Sequence, residues 1–200
     1  MADTKLPPKT GLSFAISYGF LGGPFTGHKL RRLLRQSGCT PASNLTEADI
    51  IIAHSAGCWL VDAGARPRLI MYVGMPLAQA NAKQTFGQAN RRNIWAIAWH
   101  GHFLSGLQIG LCSLYYGLRQ PRRNLGIIKM TKSALPYTSA TAQTIFVANQ
   151  YDPWPQSPRL ATYLAGQSWA FIGLPGSHDN IWEQPERYVE IINHYAKLLD

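Results

Sequence analysis

The sequence is short of negative charge: ten Asp and Glu stand against nineteen Lys and Arg in 200 residues, a formal net charge of +9. No acidic residue lies between Asp62 and Asp152, whereas Arg66, Arg68, Lys83, Arg91, Arg92, Arg119, Arg122, Arg123, Lys129 and Lys132 all do. The basic excess therefore belongs to one segment, and the rest of the chain is close to neutral. Cysteine is scarce as well. Cys39, Cys58 and Cys112 form an odd set without metal-type spacing, which argues against a disulfide framework or structural zinc and fits free thiols in a reducing cytoplasm. No GxGxxG follows a strand pattern, and neither a phosphate loop nor HExxH occurs, so no cofactor or metal is expected. No repeat or low-complexity tract is visible. The apolar run over residues 97–118 has about the length of a bilayer span, but His100, His102, Gln108 and four glycines interrupt it. It reads as a helix roofing a sheet rather than one crossing a membrane. The opening MADTKLPPKT lacks the apolar run of a signal peptide and reads as a flexible tail over residues 1–10.

What is present fits one compact domain over residues 11–200, since 46% of the residues are hydrophobic. Apolar, β-branched or aromatic runs recur as LSFAISY, DIIIAH, RLIMYV, TIFVANQ and SWAFIGL and read as buried strands. Helical patterns fall at residues 26–36, 58–63, 158–164 and 185–199. Alternation of the two predicts an α/β fold with a mostly parallel central sheet flanked by helices. Residues 74–142 break the rhythm and form an insertion too long for a simple loop, so helices of its own are expected there.

One strand runs straight into Ala53-His54-Ser55-Ala56-Gly57. Small residues two before and two after a serine permit a sharp strand-to-helix turn that pushes the hydroxyl outward, and a following helix start offers N–H groups to developing negative charge. A serine hydroxyl needs a base. His54 is adjacent and points away, so a remote histidine is required. His178 lies after the last predicted strand, in LPGSHDNIWEQPERY, and Asp152 just past the preceding strand, in VANQYDPWPQSP. A carboxylate there can hold the tautomer and orientation of the imidazole. Taken singly, Asp152 is also a turn former before Pro153 and His178 an ordinary loop histidine; the Ser-Asp-His order at three strand ends makes them a set.

The pieces AHSAG, NQYDPWP, GSHDNIWEQPE and SYGFLGGPF together resemble the α/β-hydrolase superfamily in its serine esterase and lipase branch, over most of the chain. Ala53 stands where the usual GxSxG has its first glycine. The short stretch between the first strand and the elbow strand implies a trimmed sheet. The resemblance puts an oxyanion hole on the backbone N–H of Phe20, with Leu21 the alternative, and of Ala56; Tyr18-Gly19 replaces the family's common His-Gly. Tyr18, Leu21, His54, Tyr151, Trp154 and Trp182 flank these pieces as candidate pocket walls, with core packing an equal reading for the aromatic ones.

With serine rather than aspartate at the elbow, the expectation is acyl transfer to water, cleaving a carboxylic ester or thioester through an acyl-enzyme on Ser55. Two alternatives stay open: a catalytically silent hydrolase-like binding protein, and an acyltransferase using the same residues. The basic insertion either selects an anionic or carrier-bound small-molecule substrate, with peripheral membrane contact a further option, or is a solvated face that aids solubility. No nucleic-acid partner is expected, because no binding fold accompanies the charge.

Overall fold

The computed structural model describes residues 11–75, 86–99, 103–126, 141–152 and 166–199. The expected tail, Trp154 and the helix expected over residues 158–164 lie outside these residues. Six strands, β1 (Ser13–Ser17), β2 (Thr40–Pro41), β3 (Ile50–His54), β4 (Leu69–Val73), β5 (Gln143–Asn149) and β6 (Ala170–Leu174), form one sheet in the order β2-β1-β3-β4-β5-β6. Every pairing is parallel. All ten residues of β3 and β4 are buried, as befits central strands covered on both faces.

Alternation along the strands divides the core in two. Ile50, Ile52, Leu69, Met71 and Val73 join Leu30 and Leu34 of helix α1 (His28–Gln36) with Tyr188, Val189 and Ile192 from the last long helix. Ile51, Ala53, Ile70 and Tyr72 face the other way, onto Trp59, Val61, Ala65 and Trp169. At the amino ends, Asp49 Oδ2 accepts from Ser13 N–H (2.8 Å) and Ser13 Oγ–H (2.6 Å) and so fixes β1 against β3.

The chain leaves β1 for β2 on one side and returns across it to β3 on the other. The order of strands thus reverses between β1 and β3, and the crevice beyond their carboxyl ends is where open α/β sheets take ligands. Between β1 and the elbow strand lie α1 and a β2 of only two residues, which matches the trimmed sheet expected from sequence.

Among the described residues of the insertion are two helices, α2 (Phe86–Trp99) and α3 (Phe103–Arg119), with a further helical turn over residues 121–126. The long apolar run is therefore divided between two helices. Among the described residues no helix is long and apolar enough to cross a membrane. The pair packs closely at Gly106, where a Cβ would come within 2.5 Å of Ile97 Cγ2. The chain ends in the short helix α4 (Asn180–Glu183) and in α5 (Pro185–Ala196), with Pro185 at the start of its first turn, where no intrahelical donor is needed.

One expectation is corrected. The helix expected over residues 58–63 is instead a 3₁₀ turn, Ser55–Leu60, ending in extended Val61. Only residues 61–68 then remain to reach β4, and Asp62 Oδ1 turns the chain by accepting from the N–H groups of Gly64 (2.8 Å) and Ala65 (3.2 Å). A turn this short has little macrodipole, so electrostatic help at Ser55 rests on individual N–H groups.

The crevice is tight at Gly57, where a Cβ would fall 2.3 Å from the carbonyl oxygen of Ser17. Gly57→Ala is expected to cost about 2–3 kcal/mol by overpacking, read as a lowered urea midpoint; an unchanged midpoint would refute the close packing.

Candidate active site

Ser55 begins the turn that follows β3 and takes φ 54°, in the left-handed region; Leu21 (φ 58°) is the other non-glycine there among the described residues. Such a conformation is costly for a residue with a Cβ and persists only where the surroundings enforce it. The enforcement is visible. Ser17 Oγ–H donates to the Gly57 carbonyl (2.7 Å), closing the end of β1 onto the elbow. A Cβ on Gly19 would lie 2.7 Å from Ser55 Cβ and 3.0 Å from Ala56 N, so the loop after β1 runs against the serine on the other side.

His178 lies between β6 and α4. Its Nε2 is 2.8 Å from Ser55 Oγ, and its Nδ1 is 2.8 Å from Asp152 Oδ2. A carboxylate cannot donate, so Nδ1 carries the proton and the Nε2 lone pair faces the serine hydroxyl. Burial opposes charge on His178, yet the charge and hydrogen bond of Asp152, with a smaller pull from Asp179, hold its pKa above the ordinary imidazole value. The two loops are tied together by their backbones. Gln150 N–H donates to the Leu174 carbonyl (2.9 Å), and Tyr151 N–H to that of Gly176 (3.0 Å). A buried chain from Asn180 Nδ2 to Tyr188 Oη (3.1 Å) and on to Asn149 Oδ1 (2.8 Å) joins the end of β5 to the histidine loop and α5.

His54 takes the opposite role. It is buried, and its Nε2–H donates to the carbonyl of His178 (3.0 Å). Burial first, and the neighbouring His178 second, push its pKa down to about 4 against the pull of Asp179. It is thus a neutral brace for the histidine loop. Its ring packs edge-on against Trp182, which stacks on Tyr18 at 5.7 Å. Tyr18, His54 and Trp182 thereby form an aromatic support beside the His178 loop. A cavity of about 90 Å³ reaches Trp182 and Glu183 but touches neither Ser55 nor His178. Tyr151 is exposed at the tip of the acid loop.

Several residues of the site carry no sequence signal. Asn93, buried on α2, accepts from His178 N–H through Oδ1 (3.2 Å) and donates from Nδ2 to Asp179 Oδ2 (2.6 Å). Gly74, at φ 53° just after β4, leaves room where a Cβ would sit 3.1 Å from His178 Nδ1 and 3.2 Å from Asp152 Oδ2. Gly176, at φ 144°, likewise makes way for the Asn180 side chain. Beyond α3, Arg123 Nη2 donates to the Tyr18 carbonyl (2.7 Å) and Nη1 to that of Gly22 (3.2 Å). Leu21 N–H points at Asn124 Oδ1 (3.4 Å). In the sequence Gly74 is only a glycine closing an apolar run, and Asn93 only a polar residue in the insertion.

Asn93→Ala leaves the His178 amide and one Asp179 oxygen without these partners. It is expected to cost about 1–3 kcal/mol and to speed hydrogen exchange at the His178 amide; unchanged exchange there would show that Asn93 does not hold the loop.

No protein-family model matches the chain, and no curated protein matches its sequence. Its fold does match solved structures. An N-formylmaleamic acid deformylase from Pseudomonas putida S16 aligns with TM-score 0.65 at 10% identity, over 92% of this chain and 93% of that one. A marine microorganism esterase gives 0.63 at 10% identity, over 94% and 96%. Potato (Solanum tuberosum) epoxide hydrolase I gives 0.62 at 10% identity, over 95% and 94%. At such identity the likeness concerns the fold and leaves the reaction open, and the fold of this chain is that of the α/β-hydrolases.

Proposed function

We propose that the chain is a serine hydrolase that cleaves a carboxylic ester or thioester through an acyl-enzyme on Ser55. The observation that carries this reading is the unbroken run of hydrogen bonds from Ser55 Oγ through His178 to Asp152, each 2.8 Å. The fold alone does not choose among the chemistries of its neighbours, which include esterases, a thioesterase and epoxide hydrolases. The serine at the elbow favours acyl transfer over epoxide opening, since epoxide opening by this fold needs a carboxylate there.

In the proposed cycle, Ser55 Oγ bonds to the substrate carbonyl carbon while its proton passes to His178 Nε2. The carbonyl oxygen becomes an oxyanion held by the N–H groups of Phe20 and Ala56. One contact favours that pair: Gly19 lies against Ala56 N, which sets the loop that bears Phe20 beside the elbow. Collapse breaks the bond to the leaving alkoxide or thiolate, which takes the proton from His178. Water then attacks the acyl carbon, gives its proton to His178, and the second collapse returns that proton to Ser55 as the acid departs. Asp152 keeps Nδ1 protonated throughout and stabilises the transient imidazolium. Oxyanion donors contribute about 3–4 kcal/mol each to such transition states, so Phe20 and Ala56 matter as much as the base. The three free thiols, Cys39 and Cys58 buried and Cys112 half-buried, support a reducing compartment such as the cytoplasm.

A fluorophosphonate probe is expected to label the parent protein, and Ser55→Ala and His178→Ala to abolish or nearly abolish labelling; turnover of a nitrophenyl ester should fall by about 10⁴-fold or more. Labelling that persists in Ser55→Ala sinks the proposal. Because protonated His178 cannot accept the serine proton, kcat/KM should fall as pH drops through its pKa. That acid limb should lie above the ordinary imidazole pKa of about 6.5, and Asp152→Asn should lower kcat steeply and move the limb downward.

A further inference from the structure

The inner side of the α2–α3 hairpin is committed to the site through Asn93 and Tyr116. Tyr116 is buried against Gly23, and its hydroxyl accepts from Phe25 N–H (3.0 Å). The outer side carries the opposite of what a solvated face should. Leu104, Leu107, Leu111, Leu114 and Leu118 follow each other at intervals of three and four along α3, one stripe of a helix, and each is 53–79% exposed. Trp95 and Trp99 of α2 are exposed too, Trp99 at 84%. An apolar patch of this kind marks an interaction surface.

Charge decides what covers it. The hairpin has no carboxylate, and Arg91, Arg92, Arg119 and Arg122 are all exposed around it. Next to the stripe, Phe25 meets Tyr115 edge-on at 5.7 Å, and from Phe25 a groove of about 520 Å³ opens along α1. His28, Arg31, Arg32 and Arg35 line that groove, and none of its described lining residues is acidic. Two copies of the chain meeting through this face would oppose two sets of arginines without an acid to pair them. A bilayer bearing anionic headgroups has neither problem. It accepts leucine and tryptophan at the acyl boundary and pairs its phosphates with the flanking arginines.

We propose that the outer face of the α2–α3 hairpin docks on an anionic lipid bilayer, with the leucine stripe and Trp95 and Trp99 in the interface and the α1 arginine groove taking headgroup phosphate. The helices lie along the membrane and do not cross it. Docking by this face is independent of the reaction assigned to Ser55.

The test is cosedimentation of the full chain with vesicles of phosphatidylcholine alone and of phosphatidylcholine mixed with phosphatidylglycerol. Binding is expected on the mixed vesicles, with a blue shift in tryptophan emission, and should weaken when salt is raised from about 0.1 to about 0.5 M. Leu111→Gln with Leu114→Gln should weaken binding by about tenfold or more, and Arg32→Gln or Arg35→Gln by about fivefold each. These positions are exposed, so unchanged circular dichroism should accompany the loss. Equal binding to both vesicle types, or binding indifferent to the leucine pair, overturns the proposal. So does a dimer, seen by light scattering, that the leucine substitutions dissolve while the parent protein ignores vesicles; a second copy would then own the face.

Discussion

The close approach of two backbones at the carboxyl ends of β1 and β3 governs the rest of this molecule. Gly57 lies where any side chain would strike the carbonyl of Ser17, and Gly19 lies where any side chain would strike Ser55. The hydrogen bond from Ser17 Oγ to Gly57 locks that contact. With both walls in place Ser55 has no relaxed backbone conformation to fall back to, and its positive φ turns the hydroxyl out of the strand. A longer loop or a helix of ordinary length after the serine would not be needed for this. The short 3₁₀ turn suffices because the strain is carried by packing across the crevice.

Around that fixed hydroxyl the charges are sorted by hydrogen bonding. Two imidazoles lie with ring centroids 5.0 Å apart, close enough that both could not readily be protonated. His178 has a carboxylate partner and His54 a carbonyl, so any charge belongs on His178, and His54 stays a neutral donor. Burial alone would have lowered the affinity of both for protons; the difference between them is that His178 holds a carboxylate in a 2.8 Å hydrogen bond, whereas Asp179 comes no nearer than 3.9 Å to His54 Nε2.

Five of the six strands are legible in the sequence because each is an apolar run between turn residues. Thr40–Pro41 is not, since a two-residue edge pairing leaves no periodicity and its proline has no N–H to give. Composition permits a helix after the elbow, whereas the short tether to β4 leaves room only for the 3₁₀ turn Ser55–Leu60. The grouping of Ser55, Asp152 and His178 is legible from chain order and from their places at strand ends, and the three side chains meet in the structure. Asn93, Gly74 and Arg123 are not, because each matters through a tertiary neighbour distant in sequence, and Gly176 matters through the side chain of Asn180, whose place against it is set by the fold of the loop. The neighbours of Asn93 and Arg123 become known only once the insertion is laid over the sheet.

Asn93 has a consequence for how this architecture can vary. One side chain of the hairpin accepts from the amide of His178, and Arg123, beyond α3, holds the carbonyls of Tyr18 and Gly22. The hairpin is therefore wired into the scaffold through the middle of α2 and just past the end of α3. Exchanging it wholesale for another protein's cap, a common route to new selectivity, would remove the braces along with the roof. A chimera of this chain would have to keep the inner registers of α2 and of residues 123–124 and redesign the outer surface alone.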